Sequence, residues 1–288
     1  MNLFEVTKTR PIPTIPMPSD EVFEAEYVDT RTPVLLDNIE TGMPFTREWT
    51  LEFFCKKMRT VRVHRPSEDG VFHFLSYERI PVDEFLENRA SAKDMYTLEP
   101  LIGLGAPQGS DADRRSDFSE NDVPGFIHSG QLKVSNLYIG PGDNKTLLHF
   151  DEVHSLLIMI EGEKKFALYS PQQTGNVYPY SAFNVKSVYE QRVVDSKANP
   201  VDIDVEKFPK LKDAVGWEGT MRAGQALFIP AGTWHYIESD DPNIAVNYFW
   251  YHGKLKHWFS RPLSDFCLKR VQLAAFDVAR SVKARISR

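Results

Sequence analysis

The sequence predicts a mainly β protein with flanking helices, built around an antiparallel jelly roll that begins near residue 132. Short β-rich runs follow one another from that point onward. Gly and Pro turns separate these runs, a pattern typical of an antiparallel sandwich or barrel. The chain has 288 residues, of which 42% are hydrophobic and 26% charged. A soluble chain of this length and composition can bury a substantial core.

The segment before the jelly roll is predicted to contribute one strand and two helices. Residues 32–36 (TPVLL) form an apolar run typical of a buried strand. Residues 47–59 place apolar side chains at helical spacing, and residues 81–88 read as a short helix that Pro81 opens. Residues 105–122 are polar and rich in Gly, Ser and Asp, which indicates a surface loop.

The jelly roll itself is predicted to consist of seven short strands. They are residues 132–139, 146–150, 155–160, 165–169, 226–229, 233–237 and 244–251. The long connection at residues 172–224 has little strand character. Seven short strands with turn residues between them favour a closed or sandwiched antiparallel sheet.

Residues 261–286 are predicted to form a C-terminal helix with a continuous apolar stripe. The stripe comprises Leu268, Val271, Ala275, Val278, Val282 and Ile286, and Leu273 and Phe276 widen it. The intervening basic residues are expected to stay solvated: Lys269, Arg270, Arg280, Lys283 and Arg285. A stripe of this length needs a partner, which is either the rest of the same chain or its copy in a second chain. We therefore divide the chain into a domain at residues 1–253 and a helical tail at residues 254–288.

Charge and composition narrow the classes of function. The net charge is −6, yet residues 254–288 contain nine Lys or Arg and two Asp or Glu, so the body of the chain is strongly acidic. An acidic body disfavours nucleic-acid binding and suits a basic substrate, although ordinary solubility explains it equally well. Cys55 and Cys267 lie far apart, which argues against a disulfide framework or a thiolate zinc site. Without an apolar run of bilayer length or a signal-like N-terminus, a cytoplasmic protein with no membrane association is expected.

Three residues form a candidate metal site. His149 and Asp151 are two positions apart in a predicted strand, so their side chains share one face. His235 follows the turn Pro230-Ala231-Gly232 and enters another predicted strand. Two imidazoles and one carboxylate form the facial triad of non-haem iron(II) oxygenases. A His-x-Asp pair alone is weak support, and the two flanking turns and the second histidine make the pattern specific.

The motifs around these residues resemble the JmjC/cupin hydroxylases, a family that includes the asparaginyl hydroxylase that inhibits hypoxia-inducible factor. The resemblance spans residues 32–253 and is specific from Ser135 onward. Its motifs are SNLYIG at 135–140, TLLHFD at 146–151, EGEKKFALYSP at 161–171, GQALFIPAGTWH at 224–235 and AVNYFWY at 245–251. It implies a double-stranded β-helix, an Fe(II) centre held by His149, Asp151 and His235, 2-oxoglutarate as cosubstrate, and dioxygen.

The resemblance also implies which residues bind 2-oxoglutarate. Lys164, fifteen residues after His149, matches the lysine that pairs with the far carboxylate of the cosubstrate. Thr146 matches a hydroxyl that bonds the same carboxylate. Asn247 matches an amide near the metal-bound end, and Tyr96 matches a cosubstrate tyrosine with a register uncertain by one residue.

The sequence departs from the family at Ser155, where several relatives carry an asparagine that contacts 2-oxoglutarate. Because serine is shorter, it acts either through water or not at all. Strand alternation from Ser155 and Asn247 points Leu157 and Phe249 inward, where they either line the substrate pocket or belong to the core. His154 has the opposite strand parity, which argues against a ligand role.

The predicted function is hydroxylation of a protein, peptide or amino-acid side chain. A JmjC N-methyl demethylase, a metal-binding cupin that does not use 2-oxoglutarate, and a non-catalytic cupin-fold interaction protein are the alternatives. Lys164 and Asn247 argue against the second alternative, and the three metal-ligating residues argue against the third. Related JmjC hydroxylases dimerise through C-terminal helices, so the resemblance favours a homodimer. The sequence does not identify the substrate.

Overall fold

A computed structural model of the chain describes residues 1–65, 77–88, 96–103, 122–128, 130–184, 186, 192–239, 241–251 and 255–286. Within these residues the strands are β1 (Lys8–Pro11), β2 (Thr14–Pro16), β3 (Val34–Asp37), β4 (Thr60–His64), β5 (Glu78–Pro81), β6 (Tyr96–Gly103), β7 (Leu132–Gly140), β8 (Asn144–Lys145), β9 (His149–Phe150), β10 (His154–Glu161), β11 (Glu163–Tyr169), β12 (Val215–Arg222), β13 (Ala226–Ile229), β14 (Trp234–Ser239) and β15 (Asn243–Trp250). The α-helices are α1 (Leu3–Val6), α2 (Asp20–Phe23), α3 (Leu51–Lys56), α4 (Val82–Asn88) and α5 (Leu263–Ile286).

The strands form two sheets. The larger sheet has the order β2-β3-β13-β10-β15-β7-β6-β4-β5. The smaller sheet has the order β1-β12-β11-β14-β8, and β9 also pairs with β14. Neighbouring strands are antiparallel except where β1 and β2 join the sheet edges in parallel. The mainly β, jelly-roll fold class predicted from the sequence is confirmed.

Because successive side chains along a strand point to opposite faces, the apolar side chains of the strands fall into three clusters. Leu157 of β10 and Phe166 of β11 belong to the cluster between the two sheets. Leu156 faces the opposite way, into a cluster covered by the N-terminal helices. Tyr169 of β11 faces outward into a third cluster, which α1 and Leu263 of α5 help to cover. Polar side chains that share the parity of Leu157 or Phe166 therefore point between the sheets.

Several predicted elements are confirmed with small shifts in their ends, and others are wrong. Residues 47–59 do not form one helix, because Thr50 is extended and its side chain caps a new helix by accepting from the Phe53 N–H at 3.1 Å. Residues 146–150 are not one strand, since only His149–Phe150 and the preceding Asn144–Lys145 pair with β14. Residues 104–121, which include most of the predicted loop at 105–122, lie outside the described residues.

Residues 172–224 contain one long strand, β12, which was not predicted from the sequence. Gly216 and Gly219 weaken the sequence pattern of the strand. A Cβ on Gly216 would lie 2.1 Å from the Leu168 carbonyl oxygen, so glycine allows β12 to approach β11 closely. Prolines likewise weaken the sequence pattern of β1 and β2. Both strands occupy sheet edges, where proline is tolerated.

The helix predicted at residues 261–286 is confirmed as α5. Leu263 is buried against the body of the chain, whereas Val271 is 66% exposed. Lys269 is only 5% exposed, which corrects the expectation that it stays solvated. Among the described helices, none is both long and apolar enough to span a bilayer.

Candidate metal centre

His149 and His235 lie directly opposite each other on the antiparallel strands β9 and β14. Their ring centroids are 4.1 Å apart. The Nδ1 atom of His149 bonds the Leu147 carbonyl oxygen at 2.8 Å, and Nδ1 of His235 bonds the Thr233 carbonyl oxygen at 3.0 Å. A carbonyl only accepts, so each Nδ1 carries the proton and each Nε2 keeps its lone pair. This arrangement fixes the orientation and tautomer of both rings as in histidines that bind a metal.

Asp151 follows β9 and completes the cluster. Its Oδ2 atom lies 3.6 Å from Nε2 of His235, and the ligand atoms of the three residues lie within 4.8 Å of one another. The Gly232 N–H donates to the Asp151 carbonyl oxygen at 2.7 Å and ties the two ligand-bearing loops together. Gly232 has φ of +77°, a conformation that favours glycine.

Burial perturbs the titration of Asp151 and His235. It raises the pKa of Asp151, against the lowering effect of His149 and Lys133. Burial also lowers the pKa of His235 well below its ordinary value, and His149 lowers it further. Two neutral imidazoles and one carboxylate, held this close, form a donor set that suits a divalent first-row metal such as Fe(II).

A cavity of about 270 Å³ opens beside the three residues. It brings together every site residue predicted from the sequence: Tyr96, Thr146, His149, Asp151, Leu157, Lys164, His235, Asn247 and Phe249. Ser155 also lines it. Strand alternation predicted that Leu157 and Phe249 point inward, and both line the cavity. Tyr96, Thr146, Lys164 and Asn247 were expected there from the resemblance, and they line it as well.

Lys164 places a buried cation in the wall of this cavity. It is only 4% exposed, and no ion pair to it is found among the residues that the structure describes. Burial lowers the pKa of the Lys164 ammonium to about 7. Its Nζ atom lies 5.7 Å from the centre of the Tyr96 ring. A buried ammonium beside an open cavity fits an anionic ligand, because a carboxylate would compensate its lost hydration.

Thr146 and Asn247 offer further polar groups to the cavity. The Thr146 hydroxyl oxygen accepts from the Ile237 N–H at 3.0 Å, which leaves its own proton to donate. The Ser155 hydroxyl donates to Oδ1 of Asn247 at 3.0 Å. Ser155 therefore orients the Asn247 amide and leaves the N–H groups of that amide to donate elsewhere, which gives the departure at Ser155 a structural role.

Sequence reasoning missed several cavity residues. Asn136 lies opposite Asn247 on β7, and Tyr138 lies two residues further along the same face. The pKa of Tyr138 is raised by burial first and by Asp151 second, whereas Asn136 and Asn247 lower it. The remaining cavity residues are Leu98, Asn144, Lys145, Ile229 and Ile237. Strand parity within the SNLYIG motif could have identified Asn136 and Tyr138.

His154 is packed in the core and does not face the cavity, as its strand parity predicts. Its Nδ1 atom accepts from the Ala231 N–H at 3.3 Å, and its ring stacks on Phe228 with centroids 5.6 Å apart. It is absent from the cluster of possible ligands among the described residues.

The two sheets, with three possible metal-ligating side chains between them, place the chain among the jelly-roll proteins that can hold a metal ion between their sheets. The chain belongs to the cupin-like domain family, whose model matches residues 19–255.

Among its relatives is the tRNA wybutosine-synthesizing protein 5 of Gallus gallus, 28% identical over 257 residues that cover 84% of this chain and 77% of the relative. The lysine-specific demethylase 8 of Danio rerio is 28% identical over 254 residues, 84% of this chain and 59% of the relative. The Jumonji C domain-containing protein 5 of Drosophila melanogaster is 23% identical over 261 residues, 86% of this chain and 62% of the relative.

Proposed function

We propose that the protein is an Fe(II)- and 2-oxoglutarate-dependent oxygenase that hydroxylates a protein, peptide or amino-acid side chain. One observation carries the proposal: the His149, Asp151 and His235 cluster and the buried ammonium of Lys164 line the same cavity. A metal-binding cupin without a dicarboxylate ligand would have no need to bury an uncompensated lysine there.

In this proposal the triad holds the iron by two Nε2 atoms and one carboxylate. Fe(II), 2-oxoglutarate and dioxygen together supply the oxidation that converts a C–H group of the substrate to C–OH and 2-oxoglutarate to succinate and carbon dioxide. Lys164 and the Thr146 hydroxyl bind the far carboxylate of the cosubstrate. Asn247, oriented by Ser155, donates to the end of the cosubstrate that lies near the metal.

The apolar wall of the cavity is assigned to the substrate. Leu157 and Phe249 line it, together with Ile229 and Ile237. These apolar side chains would exclude water and shield the protein from its own oxidising chemistry. The likeness to the asparaginyl hydroxylase suggests a polypeptide substrate, and the acidic body of the chain favours a polypeptide or amino acid over a nucleic acid.

Two relatives support competing substrates. One is named a lysine-specific demethylase, and N-methyl hydroxylation followed by loss of formaldehyde would use the same site. Another is named a tRNA wybutosine-synthesizing protein, which makes tRNA the nucleic-acid candidate. Our proposal places a side-chain substrate ahead of tRNA because the body of the chain is acidic, and the screen below distinguishes hydroxylation from demethylation.

The test supplies the protein with Fe(II), ascorbate and 2-oxoglutarate, and follows succinate. Free amino acids, unmodified peptides, N-methyl-lysine peptides and tRNA are then screened by mass spectrometry for a product heavier by one oxygen atom. We expect such a product from a peptide or an amino acid. Formaldehyde release would identify the demethylase, and an oxygenated tRNA would identify the RNA enzyme. Succinate formation no greater than that of the folded His149→Ala protein would contradict the oxygenase assignment.

We further propose that residues 1–253 form the oxygenase domain of a cytoplasmic protein, and that residues 254–288 mediate a homodimer. Val271 and Ala275 on α5 are exposed in the single chain although they belong to the apolar stripe. Burying such a stripe in a symmetric interface would remove it from water. Two basic tails would repel each other, so the acidic body of the partner is expected to neutralise them.

Val271→Asp is expected to convert the dimer to a monomer, because a carboxylate would be buried in the apolar interface. Sedimentation measures the change, and Arg270→Gln at the neighbouring exposed position is the control, because it leaves the apolar stripe intact and adds no negative charge. A chain ending at Gly253 should also be monomeric while circular dichroism shows a folded core. A wild-type chain that sediments as a monomer would exclude the dimer.

A further inference from the structure

Glu152 directly follows the metal-ligand candidate Asp151 and is held by a lysine of the larger sheet. The Lys133 ammonium of β7 donates to Oε1 of Glu152 at 2.6 Å. Both side chains are largely buried, with exposed fractions of 25% for Lys133 and 18% for Glu152. A short, desolvated ion pair restricts both side chains more than a surface pair does. The loop that carries Asp151 is therefore fastened to β7.

A second lysine, Lys269 of the C-terminal helix, is buried and interacts electrostatically with the same carboxylate. Leu268 and Leu273 of α5 pack against Ala182 and Val193. Lys269, which follows Leu268, is only 5% exposed, whereas the next residue, Arg270, is exposed. Burial lowers the pKa of Lys269, and the carboxylates of Glu152 and Asp195 act in the opposite direction. Lys269 thus lies within the electrostatic reach of both carboxylates.

Asp195 belongs to a segment that pairs with the strand of His149, another residue of the triad. It forms an isolated antiparallel bridge with His149. The next residue, Ser196, donates its N–H to the Leu148 carbonyl oxygen at 2.8 Å. One carboxylate near Lys269 is therefore adjacent in sequence to Asp151, and the other is paired through the backbone with His149.

We propose that Lys269 is a positioning residue that holds the Glu152 and Asp195 segments together, so that the C-terminal helix sets the geometry and affinity of the metal site. This inference rests on the proposed metal centre. It adds a role for α5 that is independent of dimerisation. Residues that hold metal ligands in place typically change metal affinity about 10- to 100-fold when they are replaced.

The sign of the effect separates positioning from simple electrostatics. Removing a positive charge near the site would by itself tighten the binding of a divalent cation. Loss of the tie between the two segments would instead weaken it, because the ligands would have to be ordered when the metal binds. Weaker binding after Lys269→Met therefore identifies the positioning role.

The experiment titrates the full-length protein anaerobically with Co(II) and records the dissociation constant and the visible absorption band of the bound ion. We expect Lys269→Met to weaken Co(II) binding about tenfold and to alter the band, in the range for residues that support metal ligands. Lys269→Arg, which keeps the charge, should bind Co(II) more tightly than Lys269→Met. Arg270→Met should match the wild type.

Unchanged or tighter binding by Lys269→Met would overturn the inference, as would equal weakening in Arg270→Met or Lys269→Arg. If Lys269→Met does not fold, Lys269→Gln removes the same charge with a polar side chain, and the same criteria of weaker, unchanged or tighter binding apply to it. A wild-type protein that binds no Co(II) would refute the proposed metal centre and this inference with it. Wild-type binding combined with an unaffected Lys269→Met protein would refute the inference alone.

Discussion

His149→Ala and Asp151→Ala are each expected to abolish metal-dependent turnover and to remove tight metal binding. Each change deletes one of three ligand atoms that lie within 4.8 Å of one another. The loss should exceed the 10- to 100-fold that is typical of residues behind the ligands. Anaerobic titration should show one metal site per wild-type chain and none of comparable affinity in either variant.

The fold should survive these changes, because neither side chain belongs to the apolar clusters between or outside the sheets. Thermal unfolding checks this expectation. His128→Ala is the control, since His128 is an exposed histidine outside the cavity that contacts Glu24. Full turnover by the Asp151→Ala protein would contradict the assignment of the metal ligands.

Lys164→Ala is expected to weaken 2-oxoglutarate binding by about 10- to 150-fold. A charge-assisted contact in a buried site is worth roughly 1.5–3 kcal/mol, which corresponds to that change in the dissociation constant. Calorimetry on the Co(II)-loaded protein measures the affinity. Lys165→Ala is a matched control, because this exposed neighbour faces outward with its Nζ 3.7 Å from the centre of the Phe4 ring. Equal affinities for Lys164→Ala and wild type would exclude Lys164 as the carboxylate partner.

The burial of Lys164 also predicts how binding depends on pH. The pKa of its ammonium is about 7 without a ligand, and a bound carboxylate would raise it. Above pH 7 the ligand-free site must take up a proton on binding, so 2-oxoglutarate affinity should fall as pH rises. Lys164→Ala should lose this dependence.

The lowered pKa of Lys164 also makes the stability of the ligand-free protein depend on pH. The ordinary pKa of lysine is 10.5, so between about pH 7 and that value the unfolded chain binds a proton that the folded chain has released. The contribution of Lys164 to the free energy of unfolding should therefore increase with pH across this range. Lys164→Met should remove this contribution, and thermal unfolding at several pH values would measure it.

Local sequence was sufficient to predict the jelly-roll class and the three candidate metal ligands, but it missed cavity residues such as Asn136 and Tyr138. The spacing of His149 and Asp151, the turn before His235, and strand alternation are local properties of the chain. A strand period of two residues sends Lys164 inward and Lys165 outward, but it was the resemblance that singled out Lys164. The resemblance to the JmjC hydroxylases then suggested roles for these positions, which the proposed experiments test.

Only the tertiary structure decided which strands complete the sheets. Strands β1, β2 and β12 contain proline or glycine and have weak local patterns. They exist because a partner strand supplies hydrogen bonds, and that partner is distant in sequence for β1 and β12. Local propensity is a weak guide where long-range pairing stabilises the strand.

Burial was likewise decided by tertiary packing. The spacing of apolar residues along α5 predicted a helix, yet it placed Lys269 in solvent. In the structure this lysine is buried, on a helix that packs against Ala182 and Val193. The sequence alone determined the class of fold and the chemical groups of the candidate site. The tertiary structure decided which charged groups lose water and which carboxylates are near enough to compensate them, because desolvation depends on the packing of segments far apart in the chain.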